Sequence, residues 1–368
     1  MTTPGDHAAH KIPPLIVRGR PAIGLGRDAY VIAEIGTNHN RSLKTATAML
    51  HALAESGCDC AKFQIYEPDE IVSALVRASD YWFDRLYGDI SAQEMFERHL
   101  KTPKAWFPGL RDVCHTLGMD FSATIHGPDG LRWAQEIGPD IVKVASMDHN
   151  NLPFLRSLVN AVDAPILLSV GMASLPDIDA LVAVVQAHDR GAGLFHCCSV
   201  YPADASEVRL ANITFLTRRY YLPVGFSDHT VGIDAALSAR ASGALMFEKH
   251  VTMDRTQPGP DHSFAMEMRP FSEYVSALKD AAPQGGLTAG AFLEPSQRET
   301  RNKPLSVKSI ISRRRLEAGH ILSEDDVYMS RPGSGISPAD LSRVIGRRLT
   351  RSVPEEMPLQ WDDVGPHG

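Results

Sequence analysis

The segments LPVGFSDHT (222–230) and ALMFEKHV (244–251), followed by the turn TQPGPDH (256–262), are two apolar runs that end near a histidine, His229 and His250. An imidazole at the end of a buried strand is held rigidly and suits a divalent metal, so the pair suggests a metal-assisted enzyme rather than a binding scaffold. The continuous apolarity of both runs fits parallel strands covered on two faces.

Six upstream runs share this form: YVIAEI (30–35), CAKFQI (60–65), MDFSATI (119–125), DIVKVAS (140–146), PILLSVG (165–171) and GLFHCCS (193–199). Segments of helical periodicity separate them. Ser42 is placed to cap a helix whose Ala46, Met49, Leu50 and Leu53 share one face, with Gly57 at its end. Ser91 and Glu94 have capping-box spacing, and Ser174 with Pro176 opens another helix. Pro108 breaks the pattern and is expected to kink or delay its helix. Eight strand–helix units predict a (β/α)8 TIM barrel, with a doubly wound open sheet as the alternative. Every run carries a polar or ionisable residue near its C-terminal end, where barrel active sites assemble, and this favours the barrel.

The 368 residues are 43% hydrophobic and 22% charged, enough to bury a large core. Thirty-seven basic against 44 acidic residues give a net charge of −7, which argues against a nucleic-acid partner. The five cysteines show neither CxxC spacing nor the density of a disulfide framework and read as reduced thiols. With no apolar leader and no membrane-length run, a soluble cytoplasmic protein is expected.

Residues 1–282 are assigned to the barrel, with a short N-terminal extension at 1–28. Residues 283–304 are a turn-rich linker, and 305–368 form a small β-rich module that serves as an interaction domain or a lid. The excursion at 68–90 carries Tyr81, Trp82 and Phe83, which either stack on a sugar over the barrel mouth or pack an extra helix. Lys62 and Lys143 lie inside strands, where a buried ammonium needs an anion: a phosphate or carboxylate ligand, or an internal salt bridge. Glu34 is a candidate for catalysis or for pairing with one of them. His196, between Phe195 and Cys197, reads as a hydrogen-bonded barrel histidine rather than a ligand.

The motifs IAEIGTNHN, AKFQ, VKVAS, ILLSVGM, HCCSVYPA, GFSDHTVGI, EKHVTMDRTQPGPDH and SRPGSGIS resemble those of the sialic acid synthase family, over nearly the whole chain from Ala29 to Asp363. That family includes legionaminic and pseudaminic acid synthases. The resemblance implies condensation of phosphoenolpyruvate with an open-chain N-acylated hexosamine, with water addition and C–O cleavage releasing phosphate, to give a nonulosonic acid. It implies Mn²⁺ or Mg²⁺ on His229 and His250, and catalytic roles for Glu34, Lys62 and Lys143. Gln64, Thr124, Ser146, Asp148, Ser169, Ser199 and Ser227 would line the substrate sites, with Tyr201 and Asp261 at sugar-binding positions. The C-terminal module resembles type III antifreeze protein (a SAF, β-clip fold). In the family it caps the partner's site in a domain-swapped homodimer, and Arg331 would reach the sugar's acylamino group from it.

Departures from the family pattern are Arg41 after NHN, the stretch Thr124, Ile125, His126, and Asp148 in place of a glutamate. They are expected to cluster where the sugar binds and so to bear on which sugar is used. Within the reaction, the alternative acceptor is a 2,4-diacetamido-2,4,6-trideoxyhexose or a rarer sugar. Outside it stand a metal-dependent barrel aldolase or isomerase that needs no phosphoenolpyruvate, and a non-catalytic carbohydrate- or ice-binding protein.

Overall fold

The computed structural model describes residues 12–283 and 290–365. A hairpin, β1 (Leu15–Val17) and β2 (Arg20–Ile23), precedes eight parallel strands. These are β3 (Tyr30–Glu34), β4 (Cys60–Ile65), β5 (Asp120–Ile125), β6 (Ile141–Val144), β7 (Ile166–Ser169), β8 (Ala192–Cys197), β9 (Val224–Asp228) and β10 (Met246–Thr252). Each pairs with the next, and β10 pairs with both β9 and β3. The sheet is therefore a closed (β/α)8 barrel, and the open-sheet alternative is excluded. A two-residue strand, β11 (Met266–Glu267), extends the pairing of β10.

Burial on both faces explains the unbroken apolar runs: β3, β5, β8 and β9 are buried along their full length. Ala46, Met49, Leu50 and Leu53 of the helix Leu43–Glu55 join Val31, Ala33, Ala61 and Phe63 in the layer between strands and helices. Ser42 caps that helix, its Oγ accepting from Thr45 N at 3.1 Å. Pro108 lies in the first turn of the helix Phe107–Thr116. There its missing N–H breaks no bond, so it starts the helix instead of kinking it.

The barrel floor is sealed. Leu15, Val17 and Ile23 of the hairpin pack with Tyr30, Ile32, Cys60, Ile141, Leu167 and Phe195. Beneath them the buried Asp120 carboxylate accepts from Tyr30 Oη and from Arg20, each at 2.6 Å. Chemistry is thereby confined to the opposite end. No helix among the described residues is long and apolar enough to cross a membrane, and all five cysteines are buried and unpaired.

The region expected as a turn-rich linker contains a helix, Gln297–Ser306, nucleated by a capping box between Ser296 and Glu299. Among the described residues, the cap that follows has a single antiparallel strand pair, β12 (Ser309–Ser312) and β13 (Val327–Ser330). Otherwise it is held by isolated bridges and a core of Ile310, Leu316, Leu322, Ile336, Val344 and Leu359. It rests on the excursion after β4. Ser73 N donates to Arg331 O at 2.9 Å, and Ala74 N donates to Glu356 Oε2 at 2.7 Å. The aromatic tip belongs to this platform. Tyr81 Oη donates to Leu305 O at 3.4 Å, Phe83 packs on Tyr87, and Trp82 is 78% exposed. In the single chain, the cap thus sits against its own barrel.

Candidate active site

Strand register gathers the ionisable residues at one end of the barrel. His250 is opposite Glu34, Glu34 opposite Lys62, Thr124 opposite both Gln64 and Lys143, and Ser227 opposite both Glu248 and Cys197. The side chains then meet. Lys62 Nζ lies 2.8 Å from Glu34 Oε2, 3.6 Å from Glu248 Oε2 and 2.8 Å from Thr124 Oγ1. Gln64 Nε2 donates to Glu34 Oε1 at 2.8 Å. Lys143 pairs with Glu248 Oε1, which also accepts from Ser227 Oγ at 3.2 Å. All four charged groups are nearly inaccessible to solvent.

Two carboxylates between two ammoniums offset much of the cost of burying charge. Burial pushes the Glu248 carboxyl up, but Lys143 and Lys62 outweigh it and hold the group at about 2. Burial lowers Lys62, yet Glu248 and Glu34 reverse the effect and raise it above the ordinary ammonium value. Lys143 goes the other way. Burial dominates there, and the neighbouring Lys62 adds to it, so its pKa falls.

His229 and His250 face each other with ring centroids 5.7 Å apart, and Tyr201 lies 4.1 Å from the first ring and 5.9 Å from the second. His229 Nδ1 is 2.7 Å from Cys198 O and therefore carries the proton, which leaves Nε2 as a lone-pair donor. Burial lowers both imidazoles to about 3, with His250 adding to the effect on His229 and the two lysines to that on His250. Both are neutral at physiological pH, as ligands must be. Among the described residues no three His, Cys, Asp or Glu side chains form a ready metal cluster. The two imidazoles, with His250 Nδ1 buried and without a hydrogen bond, would suit a divalent ion. Asp261 Oδ2 lies 3.6 Å from His250 Nδ1. A Cβ built on Gly36, at φ +52°, would lie 3.1 Å from Glu34 Oε1, 3.4 Å from Asp261 Oδ2 and 3.4 Å from Gln64 Nε2, so these side chains converge on that glycine.

A second cluster of hydroxyls lies beside Lys143. Ser146 Oγ accepts from Gly171 N at 3.1 Å and lies 3.2 Å from Cys197 Sγ, which is 3.9 Å from Ser199 Oγ. A Cβ at Gly171 would fall 2.2 Å from Ser199 Oγ, so the close approach of these walls requires glycine. Ser169 Oγ is buried without a hydrogen-bond partner.

Two expected residues lie at the boundary with the cap. Asp148, expected among the substrate residues, is buried under the cap, with His126 Nδ1 2.8 Å from one carboxylate oxygen and Lys308 Nζ 2.6 Å from the other. The departures His126 and Asp148 therefore pair with each other. Arg331 lies on the cap platform, its Nε donating to Ile71 O at 2.9 Å. His196 is buried against Phe226, and its Nε2 has no partner rather than the hydrogen bond expected of it. Sequence reasoning passed over Glu248, although strand alternation carries the signal. Glu248 and His250 share the inward face of β10, while Lys249 turns outward to Asp228 at 2.8 Å.

Fold and site together define a capped (β/α)8 barrel with a buried, charge-compensated mouth. The chain belongs to the NeuB family, whose model matches residues 49–287, and residues 307–365 match the SAF domain. It is similar to N,N'-diacetyllegionaminic acid synthase of Legionella pneumophila, at 30% identity over 353 residues covering 95% of this chain and 98% of that protein. Among solved structures it is similar to the spore coat polysaccharide biosynthesis protein SpsE of Bacillus subtilis, with TM-score 0.79 and 26% identity over 94% of this chain and 98% of that one. It is also similar to the N-acetylneuraminic acid synthetase of Leptospira borgpetersenii, with TM-score 0.64 and 28% identity over 80% and 96% of the two chains.

Proposed function

We propose that this protein condenses phosphoenolpyruvate with an open-chain N-acylated hexosamine to form a nonulosonic acid. The carrying observation is the inward pair Lys62 and Lys143, both buried, Lys62 lying 2.8 Å from Thr124 Oγ1 and Lys143 sharing Glu248 Oε1 with Ser227 Oγ. Both ammoniums are held by carboxylates, Lys62 by Glu34 and Lys143 by Glu248, and together they would match a substrate bearing both a carboxylate and a phosphate. A barrel aldolase acting on a neutral sugar has no use for both lysines.

C3 of phosphoenolpyruvate forms a bond to the aldehyde carbon of the sugar, whose oxygen takes up a proton. Water adds at C2 and loses a proton. The C2–O bond to phosphate then breaks as the C2 hydroxyl gives its proton to the departing phosphate, leaving the ketone. Glu34, held by Lys62 and Gln64, would move a proton between water and the former aldehyde oxygen. Burial, then the charge of Glu34, pushes the Asp261 carboxyl up to about 7, so it can donate as well as accept toward the sugar. Tyr201 offers its ring, and Arg331 a cation for the acyl oxygen. His229 and His250 would hold Mn²⁺ or Mg²⁺, imidazole favouring Mn²⁺, and the bound ion would polarise the aldehyde. We infer a cytoplasmic homodimer. Swapping caps between two copies would preserve each cap–barrel contact described for the single chain.

Similarity to a legionaminic acid synthase favours, as a second reading, a 2,4-diacetamido-2,4,6-trideoxyhexose as acceptor. The test is phosphate release from phosphoenolpyruvate with Mn²⁺, comparing N-acetylmannosamine, the trideoxy sugar, no sugar and a chelator control. Chelator-sensitive release with one sugar identifies the acceptor. Sugar turnover without phosphate release would establish the aldolase or isomerase instead.

A further inference from the structure

The segment between barrel and cap does more than tether them. Glu299, in the first turn of the helix Gln297–Ser306, is 3% exposed. Its Oε2 accepts from Ser296 N at 2.9 Å as part of the helix cap. Its Oε1 faces the barrel and accepts from Met172 N at 3.2 Å and Ser199 N at 2.9 Å. Those amides belong to different loops, one after β7 and one after β8. Met172 has φ +59°, a left-handed conformation that a residue with a side chain keeps only where its surroundings hold it. It follows Gly171, whose bare backbone meets Ser146 and Ser199. One buried carboxylate therefore fixes both walls of the hydroxyl cradle. The helix is anchored independently, Arg298 pairing with Glu207 at 2.8 Å and Asp204 at 3.3 Å, and Lys303 with Asp177 at 3.3 Å.

We propose that Glu299 is a positioning residue for phosphoenolpyruvate: by tying the Met172 and Ser199 amides it sets the cradle of Ser146, Gly171 and Ser199 for the substrate's phosphate, so docking of the interdomain helix completes that subsite. This rests on the function proposed above. The carboxylate's charge is directed at two amides, so it organises an anion site without facing the anion.

The experiment is steady-state kinetics of the full-length protein with Mn²⁺, each substrate varied in turn, for Glu299→Ala, Glu299→Gln and Arg298→Ala. Glu299→Ala raises KM for phosphoenolpyruvate by about tenfold or more, while KM for the sugar stays within about twofold. Glu299→Gln, which keeps one acceptor oxygen, gives a smaller rise of about threefold. Arg298→Ala loses an anchor but not the carboxylate and leaves both constants near wild type. An unmoved phosphoenolpyruvate KM in Glu299→Ala, or equal rises for both substrates, overturns the proposal. If Glu299→Ala does not fold, an unmoved KM in Glu299→Gln overturns it. An active wild type with unmoved variants sinks this inference alone. A wild type that releases no phosphate sinks the function beneath it.

Discussion

Lys308 Nζ lies 2.6 Å from Asp148 Oδ1 across the boundary between cap and barrel, and neither side chain has exposed surface. Lys308 also donates to the His126 carbonyl, and Asn150 Nδ2 donates to Lys308 O at 2.8 Å. Desolvation cancels much of what such a pair gains, so its net worth is modest while the loss of one partner is expensive. Because the carboxylate finds its partners in one arrangement, the pair fixes where the cap sits. That placement in turn fixes where Arg331 stands.

Lys308→Ala should therefore cost about 3–5 kcal/mol, since it strands Asp148 as a buried, half-paired charge. Denaturant unfolding measures it. Pairing Lys308→Met with Asp148→Leu should recover much of the loss, because an apolar pair leaves no charge uncompensated. A double variant as unstable as the single one would show that the cost lies in packing.

The same pair has a pH signature. Burial raises the Asp148 carboxyl, but Lys308 and His126 outweigh burial and hold it below the ordinary carboxylate range. A folded value below the unfolded one of about 3.9 means the stabilisation is complete above about pH 4 and is lost as pH falls through the folded value. Asp148→Asn cannot titrate. Its melting temperature should lie below wild type at pH 7, and the gap should close as pH falls below about 4. A gap that stays constant over that range would show that the carboxyl does not titrate there.

The barrel was legible because each strand spells an apolar run and several helices carry their own caps, as Ser42 does for Leu43–Glu55 and Ser174 for Leu175–Val185. The polar ends of those runs likewise placed Glu34, Lys62, Lys143, His229 and His250 at one mouth. What escaped depends on partners distant in sequence. Lys308 finds Asp148 160 positions away, a pairing that no local periodicity encodes. The partner of Asp148 escaped for the same reason, since a carboxylate after a strand reads alike whether it faces a ligand or a lysine of the cap. Glu299 looked like part of a polar linker because its role lies in two backbone amides, which leave no trace in composition. Glu248 is different. The alternation that turns Lys249 outward to Asp228 placed it inside, and the eye-catching His250 two residues on obscured it.

Lys143→Met tests the anion site directly. The variant keeps the bulk and leaves Glu248 with Lys62 at 3.6 Å, so the fold should persist. Loss of a charge-assisted bond worth about 1.5–3 kcal/mol predicts a rise in KM for phosphoenolpyruvate of about 10- to 150-fold, with the sugar's KM nearly unchanged. Equal rises in both constants would mean that Lys143 supports the barrel core rather than the substrate.

His250→Ala tests the metal assignment through metal content as well as rate. After dialysis against Mn²⁺ and gel filtration, the variant should retain less than about a tenth of the wild-type ion, with its melting temperature little changed and phosphate release abolished. Unchanged metal content would remove His250 from the ligand set. Lost activity would then need another cause, such as disturbance of Tyr201 or Asp261 beside it.

Arg331 lies with its guanidinium carbon 5.1 Å from the ring centre of Tyr81 and 5.7 Å from that of Phe96, while Ile71 O takes its Nε. Recognition of an acyl oxygen would then fall to the terminal nitrogens, held in plane by the two rings. A cation–π contact of about 0.5–2 kcal/mol predicts that Tyr81→Ala raises the sugar's KM roughly 2- to 30-fold and leaves that of phosphoenolpyruvate alone. Tyr81→Phe keeps the ring face and should stay near wild type. Arg331→Ala should exceed Tyr81→Ala, and the double variant should be no worse than Arg331→Ala, because the ring acts through the cation. Additive effects would show that Tyr81 steadies the excursion on its own account, through its bond to Leu305 O, and that the guanidinium keeps its position without the ring.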